Sequence, residues 1–137
     1  MTFQLEMIIV LRVLLGAFLG ALIGYEREIK VKPAGLRTHI LVCIGATLLT
    51  ALSLEAFPGS DTARVAASVV IGIGFLGAGT ILQLKQRVFG LTTAASLWVT
   101  ASIGMTVGAG LILVGTLVTL IVLWILRLSR VERLLHR

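Results

Sequence analysis

Two carboxylates that lie beside long apolar segments, Glu55 and Asp61, are the side chains of this chain best suited to binding a hard cation. Carboxylate oxygens are the ligands that Mg²⁺ and Ca²⁺ prefer in proteins. Arg12 and Arg64 fall near the same segment ends and would complete a polar cluster with them. A plainer alternative stays open, in which Arg12 pairs with a carboxylate, Asp61 caps a helix and Glu55 reaches the surface.

A second polar group surrounds a Lys-Pro-Ala-Gly turn. Glu26 and Arg27 precede this turn, and Arg37, Thr38 and His39 follow it. Opposite charges at this spacing can form an ion-pair network, and an arginine next to a threonine can also hold a phosphate headgroup. One histidine without a second histidine or cysteine nearby does not make a zinc site. We therefore favour a scaffolding or lipid-anchoring role for this group over ligand chemistry.

The sequence shows no catalytic constellation. An enzyme site needs a nucleophile with a base, paired carboxylates or metal-ligand spacing, whereas His39 and His136 are far apart. Hydroxyl side chains between residues 92 and 106 can bond to their own helix, link helices or line a polar path. We expect no enzymatic activity and no cofactor, with Mg²⁺ as the one candidate ligand.

Glycines recur at helical spacing in two apolar segments. Gly16, Gly20 and Gly24 are four residues apart, as are Gly104 and Gly108, so each set shares one helix face. Small residues on one face let membrane helices approach closely. This pattern predicts close packing, either within one protomer or between two.

A denser glycine cluster comprises Gly72, Gly74, Gly77 and Gly79. Its first three glycines match the dinucleotide-binding pattern G-x-G-x-x-G, but such a site needs a preceding strand, a solvent-facing helix N-terminus and an acidic residue about 20 positions further on. None of these is present in the sequence pattern. The cluster instead indicates tight helix packing or a locally unwound helix that lines a cavity.

The amino-acid composition indicates which class of protein carries these residues. Of 137 residues, 58% are hydrophobic and 13% are charged, and the mean hydropathy is +1.08. So few charges exclude a soluble enzyme or a disordered tail, and a single cysteine, Cys43, excludes a disulfide scaffold. The net charge of +6 comes from basic residues that flank apolar runs. We therefore expect contact with the lipid bilayer, not with nucleic acid.

The apolar segments predict an all-α integral membrane protein with five transmembrane helices. The segment from Leu91 to Leu126 has no charge. As one helix it would measure about 54 Å, well beyond the hydrocarbon thickness of about 30 Å, so it must fold back near Gly108 and Gly110. The predicted spans, in a single domain covering residues 1–137 without a soluble C-terminal domain, are about 7–24, 40–56, 65–84, 92–107 and 111–126.

The basic residues predict the orientation in the membrane. Lysine and arginine collect on the cytoplasmic side of membrane proteins. Of the 12 such residues, one side of the predicted topology carries all except Arg12 and Arg64. We therefore expect the N-terminus outside and the C-terminus, with Arg130, Arg133 and Arg137, in the cytoplasm.

Five sequence blocks resemble the membrane domain of the MgtC/SapB family. They are Gly24–Glu28, Lys32–Ala46, Asp61–Ala67, Gly72–Gly79 and Gly90–Trp98. The resemblance implies a multi-pass protein of the bacterial inner membrane that is linked to growth at low Mg²⁺ and, in some members, to survival inside host cells. Members have been called Mg²⁺ transporters, and others are described as regulators of membrane machinery such as ATP synthase.

Two functions therefore stay open at this point. In the first, a homo-oligomer, with a dimer favoured, gathers Mg²⁺ at Glu55 and Asp61 and passes it along the glycines and hydroxyls of the third and fourth spans. In the second, the chain is a membrane regulator that binds another integral protein through its small-residue helix faces. Both belong to Mg²⁺-linked ion homeostasis.

Overall fold

A computed structural model describes residues 2–128 of the chain. It contains five helices and a short hairpin: α1 (Phe3–Ile29), α2 (Leu36–Glu55), α3 (Thr62–Ala78), β1 (Leu82–Leu84), β2 (Arg87–Phe89), α4 (Leu91–Gly108) and α5 (Ile112–Arg127). Met1 and residues 129–137 lie outside the described part, and with them the C-terminal arginines of the predicted cytoplasmic tail.

Three of these helices are long and apolar enough to cross a membrane, namely α1, α2 and α4. The helices α3 and α5 are apolar but shorter, with 17 and 16 residues. At 1.5 Å per residue they measure about 26 and 24 Å, slightly less than the hydrocarbon thickness of about 30 Å. The chain is therefore a mostly helical membrane protein with at least three helices of spanning length.

The ends of the helices follow from turn chemistry. Asp61 caps α3 by accepting a hydrogen bond from the Ala63 amide at 3.0 Å. Glu28 accepts one from the Leu36 amide at 2.8 Å, at the first residue of α2. Between α4 and α5, Gly110 adopts a φ of +85°, which favours glycine. The apolar run therefore folds back at this point into two antiparallel helices.

The structure corrects the expected third span and the purely helical fold class. We expected a helix as far as Leu84, but α3 ends at Ala78. The Thr80 hydroxyl donates to the Gly77 carbonyl at 2.8 Å and stabilises the turn that follows. Residues 82–84 then pair in antiparallel register with residues 87–89. Alternation of side chains over these short segments favours a hairpin over a longer helix.

The core lies between α1, α2 and α4. One cluster of buried side chains joins these three helices to α5, and it includes Leu19, Cys43, Ile103, Val107 and Val122. A second, smaller cluster joins α3 to α2 and α4 through Ala46, Ile73, Leu97 and Ala101. Only Ile73 and Gly77 of α3 are buried. This helix therefore lies at the edge of the bundle.

Candidate functional site

The glycines of α1 lie directly against α2. A methyl group added at Gly20 would lie 2.7 Å from the His39 carbonyl oxygen and 2.8 Å from the Cys43 Cβ. One added at Gly24 would lie 2.8 Å from the Leu36 Cα, and one at Gly16 would collide with the Thr47 hydroxyl. Even alanine is therefore too large at these positions without movement of α2.

The glycines of α4 lie against α2 as well. A methyl group at Gly104 would meet the Cys43 carbonyl oxygen at 2.5 Å and the Ala46 Cβ at 2.9 Å, and one at Gly108 would collide with the Thr47 carbonyl oxygen. We use the name glycine core for these five glycines and the part of α2 that they contact. The five are Gly16, Gly20, Gly24, Gly104 and Gly108. The contacts of the glycine core lie within one protomer, so the face of α1 that we offered as a partner-binding surface is covered by α2.

A histidine and a serine connect α2 to α4 inside the bundle. The His39 side chain is 0% exposed. Its Nδ1 lies 2.8 Å from the Gly35 carbonyl oxygen, and its Nε2 lies 3.0 Å from the Ser96 hydroxyl oxygen. The Ser96 hydroxyl oxygen also lies 2.8 Å from the Thr93 carbonyl oxygen. Both ring nitrogens of the histidine thus have a partner, as a buried imidazole requires.

Ser96 and His39 are 57 residues apart, and no sequence spacing indicates that they meet. A histidine hydrogen-bonded to a serine is also the first half of a hydrolytic triad. Here, however, the second ring nitrogen contacts a main-chain carbonyl where a triad has a carboxylate. Because both side chains are enclosed by the bundle, the pair serves as a link between helices.

A cluster of charges closes the end of α1 next to α5. Arg27 is 2% exposed, and its Nε lies 2.5 Å from a Glu26 carboxylate oxygen. The ammonium group of Lys30 pairs with the other oxygen of Glu26 and donates to the Leu126 carbonyl oxygen at 2.7 Å. A carboxylate between two cations balances the buried guanidinium, which would otherwise be very costly. We call Glu26, Arg27 and Lys30 the Arg27 cluster.

The expected cytoplasmic group is thus divided in the structure. Glu26 and Arg27 share one ion-pair cluster, while His39 points into the bundle towards Ser96. Arg37 and Thr38 are exposed at the start of α2.

Arg12 joins α1 to the facing ends of α2 and α4. Its Nη1 donates to the Gly108 carbonyl oxygen at 3.0 Å and lies 3.8 Å from a Glu55 carboxylate oxygen. The last carbonyls of a helix carry partial negative charge and attract a cation. We call Arg12, Glu55 and Gly108 the Arg12 clamp. The structure therefore gives Glu55 an intramolecular partner.

The second candidate cation ligand, Asp61, is the cap of α3 described above. Within residues 2–128, no group of three or more His, Cys, Asp and Glu side chains lies close enough together to hold a metal ion. Arg64, the other predicted member of the outer cluster, is exposed on the first turn of α3. The structure thus shows separate roles for Glu55 and Asp61.

The glycine cluster of α3 differs from the glycine core. The helix is continuous from Thr62 to Ala78, so it is not unwound at Gly72, Gly74 or Gly77. A methyl group at Gly72 or Gly74 would meet no atom within 4 Å, and one at Gly77 would make an ordinary contact of 3.6 Å with Ala94. Gly79 follows the helix as its C-cap. Tight packing within the protomer is therefore not the role of Gly72 or Gly74.

An open apolar groove lies beside these glycines, between α2 and α3. Its volume is about 650 Å³. One wall contains Leu41, Gly45 and Leu49, and the other contains Val65 and Gly72. We call it the α2–α3 groove. Its lining is almost entirely apolar, as expected of a surface in contact with lipid.

These features define a small helical membrane protein with a glycine-packed centre and ion pairs at both ends of that centre. The chain matches the family model described as "MgtC family" over residues 13–134. It therefore belongs to the MgtC family, as the sequence blocks predicted.

Several relatives support this assignment. The chain is 44% identical over 125 residues to "Putative magnesium transporter YhiD" of Escherichia coli, covering 83% of this chain and 58% of that protein. It is 51% identical over 100 residues to "Protein MgtC" of Brucella abortus, covering 72% and 42%. An uncharacterized protein of Haemophilus influenzae is 41% identical over 143 residues, covering 96% and 60%. No solved structure matches the chain.

The chain thus spans about half the length of the relatives that it matches. What those longer proteins do as a whole does not transfer directly to this chain.

Proposed function

We propose that the chain acts in Mg²⁺-linked ion homeostasis as a multi-pass protein of the bacterial inner membrane, and that its protomer does not itself conduct ions. The proposal includes no enzymatic activity and no cofactor. Membership of the MgtC family and the names of the YhiD and MgtC relatives support the link to magnesium. The glycine core is the observation that carries the second half of the proposal.

The glycine core leaves no space between α1, α2 and α4 for a hydrated ion. Mg²⁺ gives up its water reluctantly and usually keeps several water molecules when a protein binds it. At Gly20 and Gly104, an added methyl group would already lie within 2.8 Å and 2.5 Å of atoms of α2. A route through the centre of a protomer would therefore require these helices to separate.

The ends of the bundle also favour a closed protein. Glu55 lies beside Arg12, and Asp61 holds the first turn of α3. A cation that bound both carboxylates would have to displace an arginine and a helix cap. Both interactions stabilise the fold, so the cost of displacing them would weaken the binding of the ion.

A non-conducting protein can influence ion homeostasis by binding another membrane complex. The face of α3 that points away from the bundle carries large exposed apolar side chains, including Ile71 and Phe75. On α5, Leu113 and Trp124 are also exposed. These surfaces, and not the covered glycine stripe of α1, would contact a membrane protein partner such as ATP synthase.

Transport by a homo-oligomer is the second candidate function. The name of the YhiD relative, "Putative magnesium transporter YhiD", favours it. In this alternative the route would run between protomers, of which we favour two. Glu55 and Asp61 would then bind the ion at the outer entrance after the Arg12 clamp had opened.

Mg²⁺ flux into proteoliposomes that contain only the purified chain distinguishes these candidates. Empty liposomes are the blank, an ionophore that carries Mg²⁺ shows that the vesicles are sealed and responsive, and the Glu55→Ala/Asp61→Ala double variant is the matched sample. The proposal predicts flux equal to that of empty liposomes. Flux that the double variant loses would establish transport with an outer site, and flux that it keeps would place a conducting route elsewhere.

The orientation is part of the proposal, with the N-terminus outside and the C-terminus in the cytoplasm. A cysteine added at the C-terminus of a Cys43→Ala variant should react with a membrane-impermeant maleimide only after the cells are permeabilised. Labelling of intact cells would reverse the orientation.

A further inference from the structure

The α2–α3 groove is long, open and apolar. Along α3 it extends from Arg64 to Leu76, which corresponds to about 18 Å at 1.5 Å per residue. Its walls are apolar apart from Arg64 and Ser68. An extended hydrocarbon chain matches a long apolar groove of this kind.

Glycines account for the space in the groove. Gly45 of α2 and Gly72 of α3 both line it, and a methyl group at either position would meet no atom within 4 Å. On the inner side, Ala101 of α4 forms the floor. The volume therefore exists because small residues occupy both walls and the floor.

One end of the groove carries a positive charge. Arg64 is the only charged residue among those that line it. It is exposed on the first turn of α3, and among residues 2–128 no carboxylate lies within ion-pair distance of it. The nearby Asp61 side chain is directed to the Ala63 amide. A ligand with one anionic end and one apolar tail would match both the charge and the lining.

We propose that the α2–α3 groove binds one acyl chain of a membrane phospholipid, with the lipid phosphate held by Arg64. Arginine pairs well with phosphate because its planar fork of N–H donors matches the phosphate oxygens. The acyl chain lies along Val65, Gly72 and Leu76, where apolar side chains surround it. A second copy of this chain fits less well, because the chain carries 12 basic residues against 6 acidic ones and offers few anionic partners for Arg64.

Native mass spectrometry of the detergent-solubilised full chain tests the proposal with phosphatidylglycerol as the probe. Diacylglycerol, which has the acyl chains but no phosphate, is the control ligand. Arg64→Gln removes the charge, and Gly72→Leu fills the groove. The matched control is Gly74→Leu, because Gly74 also faces open space on α3 but lies about 200° around the helix from Gly72 and does not line the groove.

The proposal predicts that wild type and Gly74→Leu retain one phosphatidylglycerol per protomer in preference to diacylglycerol. Arg64→Gln should weaken this binding about fivefold, the equivalent of about 1 kcal/mol for a cation near lipid phosphate. Gly72→Leu should lose the lipid, because the added side chain fills the groove. Thermal unfolding shows whether each variant is folded. If Arg64→Gln does not fold, Gly72→Leu still tests the proposal.

Three results would each overturn the proposal. The first is equal lipid binding by wild type, Arg64→Gln and Gly72→Leu, and the second is equal retention of diacylglycerol and phosphatidylglycerol by wild type. The third is a wild-type dimer that carries no lipid and that Gly72→Leu loses. The last result would identify a second copy as the occupant of the groove.

Discussion

Glycines occupy opposite environments in the two parts of this bundle. In α1 and α4 they lie so close to α2 that an added methyl group would collide with it. In α3, which has the densest glycine pattern of the sequence, Gly72 and Gly74 face open space. The same residue type at helical spacing therefore closes one part of the molecule and opens another.

The difference shows what a small-residue pattern does and does not determine. Glycine permits close approach of two helices, but the position of the neighbouring helix decides whether that approach occurs. The α1 and α4 glycines lie against α2, and the buried His39–Ser96 contact adds a second link between α2 and α4. In α3, by contrast, only Ile73 and Gly77 are buried, and Val69 packs beside them.

We expect the largest loss of stability from a substitution in the Arg27 cluster, at one end of the closed part of the bundle. Arg27→Ala leaves Glu26 with Lys30 alone and creates a cavity in place of a large buried side chain. Breaking a buried ion pair costs about 3–5 kcal/mol of unfolding free energy. Denaturant unfolding in detergent measures this loss. Arg87→Ala, which removes an exposed arginine of β2, is the matched control and should change stability by no more than about 0.5 kcal/mol.

Gly20→Ala tests the closed side of the comparison directly. The added methyl group would contact a main-chain oxygen and a Cβ of α2, and neither atom can move without the helix. Overpacking of this kind costs about 1–3 kcal/mol, and we expect a value near the upper limit. The same unfolding experiment applies. A stability equal to that of wild type would show that α1 and α2 are less tightly packed than the structure indicates.

Ser96→Ala tests the polar link between α2 and α4. It leaves the Nε2 of the enclosed His39 without its partner. We expect a loss of about 1 kcal/mol, since hydrogen bonds between membrane helices contribute about 0.6–1.7 kcal/mol. The control is Ser102→Ala, because the Ser102 hydroxyl is exposed and donates to the Trp98 carbonyl of its own helix. Equal effects of the two variants would mean that the link between the helices does not add stability.

The smallest effect, of opposite sign, should occur on the open side. Gly74→Ala adds a methyl group where no atom lies within 4 Å, so only the backbone preference of glycine changes. Replacing glycine by alanine in a helix gains about 0.5–1 kcal/mol. Gly74→Ala should therefore raise the unfolding midpoint in the experiment in which Gly20→Ala lowers it. A decrease for both variants would remove the distinction between the two regions.

Much of the fold followed from the sequence because apolar length and turn residues are local signals. The charged turn after α1 and the glycine at position 110 both mark real helix boundaries. The end of α3 was not predictable in this way, since Ile81 and Leu82 continue its apolar pattern. The pairing of residues 82–84 with residues 87–89 decides that segment, and hydropathy does not report pairing.

The site was less predictable because its contacts join residues distant in sequence. Arg12 reaches Gly108 across 96 positions, and Lys30 reaches Leu126 across the same separation. The charges indicated that ion pairs would form, but not which partners would meet. The hydroxyl of Ser96 was one of several on its helix, and only the arrangement of α2 against α4 distinguishes it.

The reactivity of the native Cys43 thiol most directly tests whether the centre of the bundle is closed. This side chain is 0% exposed and lies between Gly20 and Gly104. In membranes at low and high Mg²⁺, a water-soluble methanethiosulfonate reagent should leave Cys43 unmodified, while it labels an Arg64→Cys/Cys43→Ala variant and the unfolded wild type. Labelling of Cys43 in the folded protein at either Mg²⁺ concentration would show that water reaches the glycine core, and would contradict a closed protomer.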